Sequence, residues 1–122
     1  MEGFLQSLKY EDEERQMAVC AKHGREAKKA GHGGRDWRSD QTLYWKGKAI
    51  PRDSGEFDAL VTRAFDKRFE NPHFRWALFL TLGRPLRHSI GKRDKSETVL
   101  TEQEFLYQLE RLRKVISERE KI

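Results

Sequence analysis

The clearest pattern of apolar positions lies in the middle of the chain. Mostly apolar residues recur at spacings of three and four, at Phe57, Leu60, Val61, Ala64, Phe65, Arg68 and Phe69. Because residues three and four apart share a helical face, this spacing predicts an amphipathic helix whose apolar stripe enters the core. We expect Asp53 to cap its start with Glu56 reaching back, and Asn71-Pro72 to end it and begin a second core helix that includes Phe74, Ala77, Leu78 and Phe79.

Shorter helical patterns lie on both sides of this pair. Phe4, Leu5 and Leu8 predict a first helix that carries Glu2 in its first turn, and an acidic stretch before Met17 predicts a second. Residues 25–30 read as a short basic helix closed by Gly31. A capping box at Thr101 to Glu104 predicts a last helix, striped by Phe105, Leu109, Leu112 and Ile116.

Two stretches favour β-structure. Residues 42–51 place aromatic and β-branched side chains around a turn that contains Gly47, which predicts a hairpin. Residues 86–91 alternate in polarity between Pro85 and Gly91, which predicts a strand. The fold class is therefore α+β and mostly helical, and the length suits a single domain over residues 1–122.

Composition narrows the class of protein. Hydrophobic residues make up 36% and charged residues 37%, which suits a globular domain with a heavily charged surface. A net charge of +5 favours polyanionic partners such as nucleic acid. The single cysteine, Cys20, predicts a buried thiol in a reducing cytoplasm, and no apolar run approaches the roughly 18 residues of a membrane span.

A basic cluster surrounds the glycines of residues 31–34. Its members are Arg25, Lys28, Lys29, His32 and Arg35, with Trp37 close behind. Such a loop could hold a phosphate while an aromatic ring packs on a base, although a solvated basic loop fits the same pattern. No Walker or GxGxxG motif is present, so the sequence supports a phosphate site only weakly.

Two further residues have a structural and a functional interpretation. Glu2 is either a charge that stabilises the first turn of a helix or a carboxylate that is available for catalysis. His88 fits a half-buried structural histidine of the predicted strand, or a site residue. No other His, Cys or acidic residue stands near His88 at a metal-ligand spacing, so we predict no metal and no cofactor.

The order of several short motifs resembles a known enzyme family. The chain opens with Glu2-x-x-x-Gln6-x-x-Lys9, followed by a charged helix, Ala27-Lys28-x-x-Gly31 and a Trp; residues 64–72 and 78–83 supply two later motifs. Together they resemble the NADAR family, the YbiA-like N-glycosidases. The resemblance covers most of the chain and implies a divergent, N-terminally shortened YbiA-like fold with residues 42–51 as an insertion.

This resemblance implies a hydrolase that removes ADP-ribose, or a related ribosyl group, from a guanine-type base in nucleic acid or nucleotide. A carboxylate can stabilise the oxocarbenium-like sugar and activate a water. The family pattern implies Glu2 as the catalytic acid and Asp94 as a late acid. It implies a substrate-binding role for Lys9, Arg25, Lys28, Trp37 and His88.

Two non-enzymatic alternatives remain open on the sequence. One is a protein of the same fold that binds a nucleotide or nucleic acid through its basic face without turnover. The other is a structural subunit whose basic surface meets an acidic partner.

Overall fold

The computed structural model describes residues 1–86 and 94–120, except for the side chain of Glu120. Within these residues the protein forms seven helices and one antiparallel pair of strands. In chain order they are α1 (Glu2–Ser7), α2 (Glu13–Cys20), α3 (Gly24–Gly31), α4 (Trp37–Asp40), β1 (Thr42–Trp45), β2 (Lys48–Pro51), α5 (Gly55–Phe69), α6 (Pro72–Phe79) and α7 (Glu102–Glu120). The prediction of a mostly helical α+β fold is confirmed.

The hairpin lies where the sequence places it. β1 and β2 pair with Leu43 opposite Ile50, and both of these side chains are buried. Lys46 and Gly47 form the turn with φ of 50° and 81°. Positive φ at both turn residues matches the right-handed twist of the two strands, and glycine adopts it without steric cost.

The core forms around the predicted stripe of α5. Phe57, Leu60, Val61 and Phe65 are buried in one cluster with residues from the hairpin and from α7. Complete burial of one such side chain stabilises the fold by roughly 1.5–3 kcal/mol. Three predictions about burial were wrong. Arg68 of α5 and Ala77 of α6 are exposed, and Cys20 of α2 is only half-buried.

Three helix starts test the predicted caps. Asn71 accepts hydrogen bonds from the amides of His73 and Phe74, and Thr101 and Glu104 bond reciprocally as a capping box, so both predictions are confirmed. The cap at Asp53 was wrong. Ser54 caps α5 instead, accepting from Phe57 N at 3.2 Å, because its extended backbone directs the hydroxyl at that amide.

Gln16 joins the first two helices to the hairpin. Its side chain is completely buried, and its Nε2 lies within 3.2 Å of the carbonyl oxygens of Ser7, Tyr10 and Tyr44. Its Oε1 accepts a hydrogen bond from Lys46 N at 2.9 Å. One buried amide therefore connects backbone groups of α1, of the segment that follows it and of the hairpin.

Arg52 joins the hairpin to the start of α7. Its guanidinium is 1% exposed, donates to both carboxylate oxygens of Glu104 at 3.1 and 2.5 Å, and donates from Nε to Thr98 O. Burial alone would raise the pKa of Glu104, but hydrogen bonds from Arg52 and from the Thr101 amide outweigh it and lower that pKa. The pair fixes the loop that precedes α7.

Two sequence predictions can be compared only with the residues that the structure describes. The predicted strand at 86–91 falls almost wholly outside them, and Leu86, its one described residue, has no regular secondary structure. Within residues 1–86 and 94–120, no helix is both long and apolar enough to cross a membrane.

Candidate functional site

A pocket of about 660 Å³ opens where α1, α3, α4 and the loop before α7 meet; we call it the N-terminal pocket. It brings together four residues that the sequence analysis named as site residues: Glu2, Lys9, Lys28 and Trp37. The remaining lining residues are Met1, Leu5, Gln6, His32, Arg38, Glu97, Thr98, Val99, Leu100 and Phe105.

One wall of the N-terminal pocket is cationic. Lys9, Lys28 and Arg38 line it together with His32, and in the described part of the chain none of these three cations forms an ion pair with a carboxylate. Burial lowers the pKa of Lys9, the nearby positive charge of Arg38 lowers it further, and Glu2 acts in the opposite direction. Glu2 and Glu97 also line the pocket, but its three cationic side chains outnumber these two carboxylates, which favours an anionic ligand.

The carboxylate of Glu2 is held by a residue one helical turn later. Gln6 donates from Nε2 to Glu2 Oε1 at 2.7 Å. Gln6 Oε1 is buried and has no hydrogen-bond partner among the residues that the structure describes. A Cβ on Gly31 would lie 1.8 Å from that oxygen, so a larger residue at this position would displace the amide that orients Glu2.

The glycines of residues 31–34 serve packing against the first helix. A Cβ on Gly34 would lie 2.6 Å from Lys9 Cβ, and one on Gly33 would lie 2.9 Å from the Tyr10 hydroxyl. Tyr10 donates to Ala30 O at 2.6 Å, and Arg35 N donates to Lys9 O at 2.9 Å. These glycines therefore allow the end of α3 to pack closely against Lys9 and Tyr10. The sequence analysis had interpreted them as a loop that could hold a phosphate.

Trp37 contributes less to the N-terminal pocket than the sequence analysis expected. It is 4% exposed and belongs to the hydrophobic core. An indole so deeply buried presents only a small part of its surface to the pocket, so it forms part of a wall and offers no face for stacking.

Three other predicted site residues are not part of this arrangement. Arg25 is exposed in the first turn of α3 and does not line the pocket. Asp94 lies in a shallow depression with Gln41, Asp53, Lys95 and Ser96, where hydrogen bonds from the amide and hydroxyl of Ser96 lower its pKa. His88 lies outside the described residues.

Arg35, a member of the predicted basic cluster, has a structural role. It forms an ion pair with Asp40 at 2.5 Å and donates to Thr42 O at 2.8 Å, which stabilises the corner between α4 and β1. Conversely, the sequence analysis named His32 only as a member of the basic cluster, and it did not assign Arg38, Glu97 or Phe105 to the site. His32 follows Lys28 by four positions and so shares its helical face, which was the available signal.

In the described residues, no group of three or more His, Cys, Asp or Glu side chains is arranged to hold a metal ion. The donors that line the N-terminal pocket are ammonium, guanidinium and amide groups, which suit an organic anion.

Comparison with known proteins assigns the family. Residues 1–114 match the family described as Bacteriophage protein GP30.3, and the chain therefore belongs to that family. It is similar to a protein of Enterobacteria phage T4 described as an uncharacterized 17.1 kDa protein in the Gp30-rIII intergenic region. The two are 36% identical over 115 residues, which cover 93% of this chain and 76% of the T4 protein. No solved structure matches the chain.

This assignment corrects the resemblance to the NADAR family, which was wrong. The motifs that carried it consist of a few common residue types each, and charged helices followed by Gly and Trp occur in many folds. The catalytic and ADP-ribose-binding roles that came with that family lose their basis. What remains is the geometry of the pocket itself.

Proposed function

We propose that the N-terminal pocket binds a nucleotide-type ligand, with phosphate on the cationic wall and a planar base on the apolar part of the lining. The observation that carries the proposal is the gathering of Lys9, Lys28 and Arg38 in one cavity. Glu2 and Glu97 line the same cavity, but within the described residues none of the three cations forms an ion pair with a carboxylate.

The lowered pKa of Lys9 supports the phosphate end of this proposal. Burial and the nearby charge of Arg38 lower the pKa of Lys9, so its protonated form is less favourable in the free protein than in water. A phosphate between the two cations would relieve both effects at once. Lys28 adds a third positive charge from α3, within the same cavity.

The apolar part of the pocket lining suits a ring. Leu5, Val99, Leu100 and Phe105 line the pocket, together with the small exposed part of Trp37. Small-molecule sites typically combine apolar side chains with a few polar groups that fix the ligand, and the cavity falls within their usual range of about 300–1,000 Å³.

Glu2 gives the pocket a hydrogen-bond acceptor. One of its carboxylate oxygens is held by Gln6, so the group has a defined orientation. A carboxylate placed this way accepts hydrogen bonds from ribose hydroxyls or from base N–H groups.

The test is isothermal titration with ADP, adenosine and inorganic pyrophosphate. We expect ADP to bind more tightly than either fragment, because only ADP has both a phosphate group for the cations and a base for the apolar side chains. Lys28→Ala should weaken ADP binding by about tenfold, the usual scale for losing a charged hydrogen bond. Lys29→Ala is the matched control, since Lys29 is an exposed lysine on the same helix that does not line the pocket. Equal effects of the two substitutions, or no ADP binding, would contradict the proposal.

A second candidate, hydrolysis of the N-glycosidic bond of the bound nucleotide, is favoured by the oriented carboxylate of Glu2. In that reaction Glu2 takes a proton from water, the water oxygen bonds to the anomeric carbon, and the base leaves with the bonding electrons and is then protonated. Chromatography of ADP and GDP incubated with the protein would detect free base. Base release by the wild type but not by Glu2→Gln supports this candidate, whereas no release from either leaves binding as the function.

A further inference from the structure

A second surface lies on α6 and the end of α7, and it shares no lining residue with the N-terminal pocket. We call it the α6 face, and it consists of Pro72, Arg75, Trp76, Phe79, Ile116 and Arg119. We propose that the α6 face binds single-stranded nucleic acid, with a base stacked on Trp76 and phosphates on the two arginines.

Trp76 supplies the stacking platform. Its side chain is 61% exposed, and its ring stacks on Phe79 with centroids 5.4 Å apart and an interplanar angle of 21°. Leu80, the next residue, is 56% exposed. Phe79 supports one side of the indole, so the exposed part of the ring is held in a fixed position where a base can stack.

The two arginines are fixed beside this platform. Arg75 and Arg119 lie over the same ring, with their guanidinium carbons 6.0 and 5.6 Å from the Phe69 centroid. Arg75 also donates to Phe69 O and Glu70 O at 2.9 and 3.0 Å. In the described residues neither guanidinium has a carboxylate partner, and Glu70 is itself ion-paired with Lys67. Neither positive charge is therefore neutralised by a carboxylate of the described residues, and both remain available to phosphates.

Charge complementarity selects the occupant. A second copy of the chain would place like charges together, because the rim of the α6 face is cationic and the chain carries a net charge of +5. An acidic protein segment would satisfy the arginines but would not use the exposed face of the indole. A single strand of nucleic acid offers phosphates and planar bases in alternation, which matches cations beside an aromatic ring.

Tyr107 shows that exposure alone does not make such a surface. It is 63% exposed on α7, but the depression that it lines contains two carboxylates, Asp58 and Glu104, and one cation, Lys95. An exposed aromatic residue with acidic neighbours repels phosphates, which makes Tyr107 an internal control.

The test is fluorescence anisotropy of a labelled oligo(dT) titrated with the protein. We expect binding that weakens as salt rises, and a loss of about tenfold in affinity for Trp76→Ala, the usual scale for one stacked base. Arg119→Ala should weaken binding and reduce the slope of affinity against salt by about one. Tyr107→Ala should bind like the wild type. Both Trp76 and Arg119 are exposed, so each variant should fold, and circular dichroism checks this.

Three results would overturn the proposal: no binding of oligo(dT), equal binding by the Trp76→Ala variant, or equal losses for Trp76→Ala and Tyr107→Ala. Poly-glutamate is the competitor that distinguishes a general acidic partner. If it displaces oligo(dT) at equal charge concentration, the surface recognises charge alone and the proposal fails. Trp76→Ala should leave ADP binding at the N-terminal pocket unchanged, because Trp76 does not line that pocket, so this proposal and the nucleotide pocket can fail independently.

Discussion

Gln6 donates a hydrogen bond to Glu2 across one turn of α1, and the absence of a side chain at Gly31 makes that geometry possible. The donor distance is 2.7 Å, and the other end of the Gln6 amide is buried where a Cβ on Gly31 would lie. The helix that carries Lys28 therefore also determines how the acid on α1 is presented to the N-terminal pocket.

Gly31→Ala should show whether packing against Gln6 or intrinsic helix propensity dominates the stability at this position. Gly31 ends α3, where alanine would otherwise stabilise the helix by up to about 1 kcal/mol. Here the new methyl group would overlap Gln6 Oε1, so we expect a loss of roughly 1–3 kcal/mol in the free energy of unfolding, measured with urea. ADP binding should also weaken, because Gln6 can no longer orient Glu2.

Gly55→Ala is the matched control, since a Cβ on Gly55 has nothing within 4 Å. It should leave stability unchanged or raise it. The double variant Gln6→Ala with Gly31→Ala removes the overlapping amide, so it should recover stability without recovering ADP affinity. Recovery of both would show that Gln6 has no role in orienting Glu2.

The parts of the fold that could be predicted are those determined by local physics. The stripe of α5, the Asn71 cap, the capping box at Thr101 and the hairpin turn each depend on residues close together in sequence. Gln16 and Arg52 could not be predicted as buried, because their partners lie up to 30 and 52 positions away in the chain. A polar residue reads as solvent-exposed until its distant partner is known.

The candidate site was predicted only in part. One pocket does contain Glu2 of α1, Lys9 just after that helix, Lys28 and Trp37, although the family that suggested them was wrong. Asp94 was grouped with them from motif order alone, and the structure places it in a different depression. Tertiary packing decides which distant residues meet, and a single sequence does not contain that information in readable form.

Gln16→Leu should be among the most destabilising single substitutions. It removes the acceptor of Lys46 N and the donor to Tyr44 O, both of which lie inside the junction of the helices and the hairpin. Unsatisfied buried backbone groups cost about 1–3 kcal/mol each, so we expect a loss of at least about 2 kcal/mol in urea unfolding. Gln103→Leu, at an exposed glutamine of α7, should have little effect. Similar losses for both would refute the role of Gln16 as a junction.

Acid should destabilise the protein in part through Glu104. Its pKa is lowered in the folded protein from an ordinary value of 4.5, so its contribution to stability is complete above that value and is lost as the pH falls through the lowered pKa. Urea unfolding of wild type and Glu104→Gln across the acidic range measures this. The variant should be less stable near neutral pH, and its stability should fall less steeply in acid. Parallel curves would mean that Glu104 contributes nothing to the acid sensitivity.

Binding of ADP should be accompanied by proton uptake at alkaline pH. Burial and the nearby charge of Arg38 lower the pKa of Lys9 in the free protein, and a bound phosphate would raise it again. Between the free and bound pKa values, Lys9 is largely neutral before binding and protonated afterwards, so the complex gains a proton. Titration calorimetry in buffers of different ionisation enthalpy measures that gain directly. Lys9→Met keeps a similar apolar stem without the amine, and it should bind ADP more weakly with the proton uptake abolished. Proton uptake that persists in Lys9→Met would place the titrating group elsewhere, and uptake absent from the wild type would mean that the phosphate does not reach Lys9.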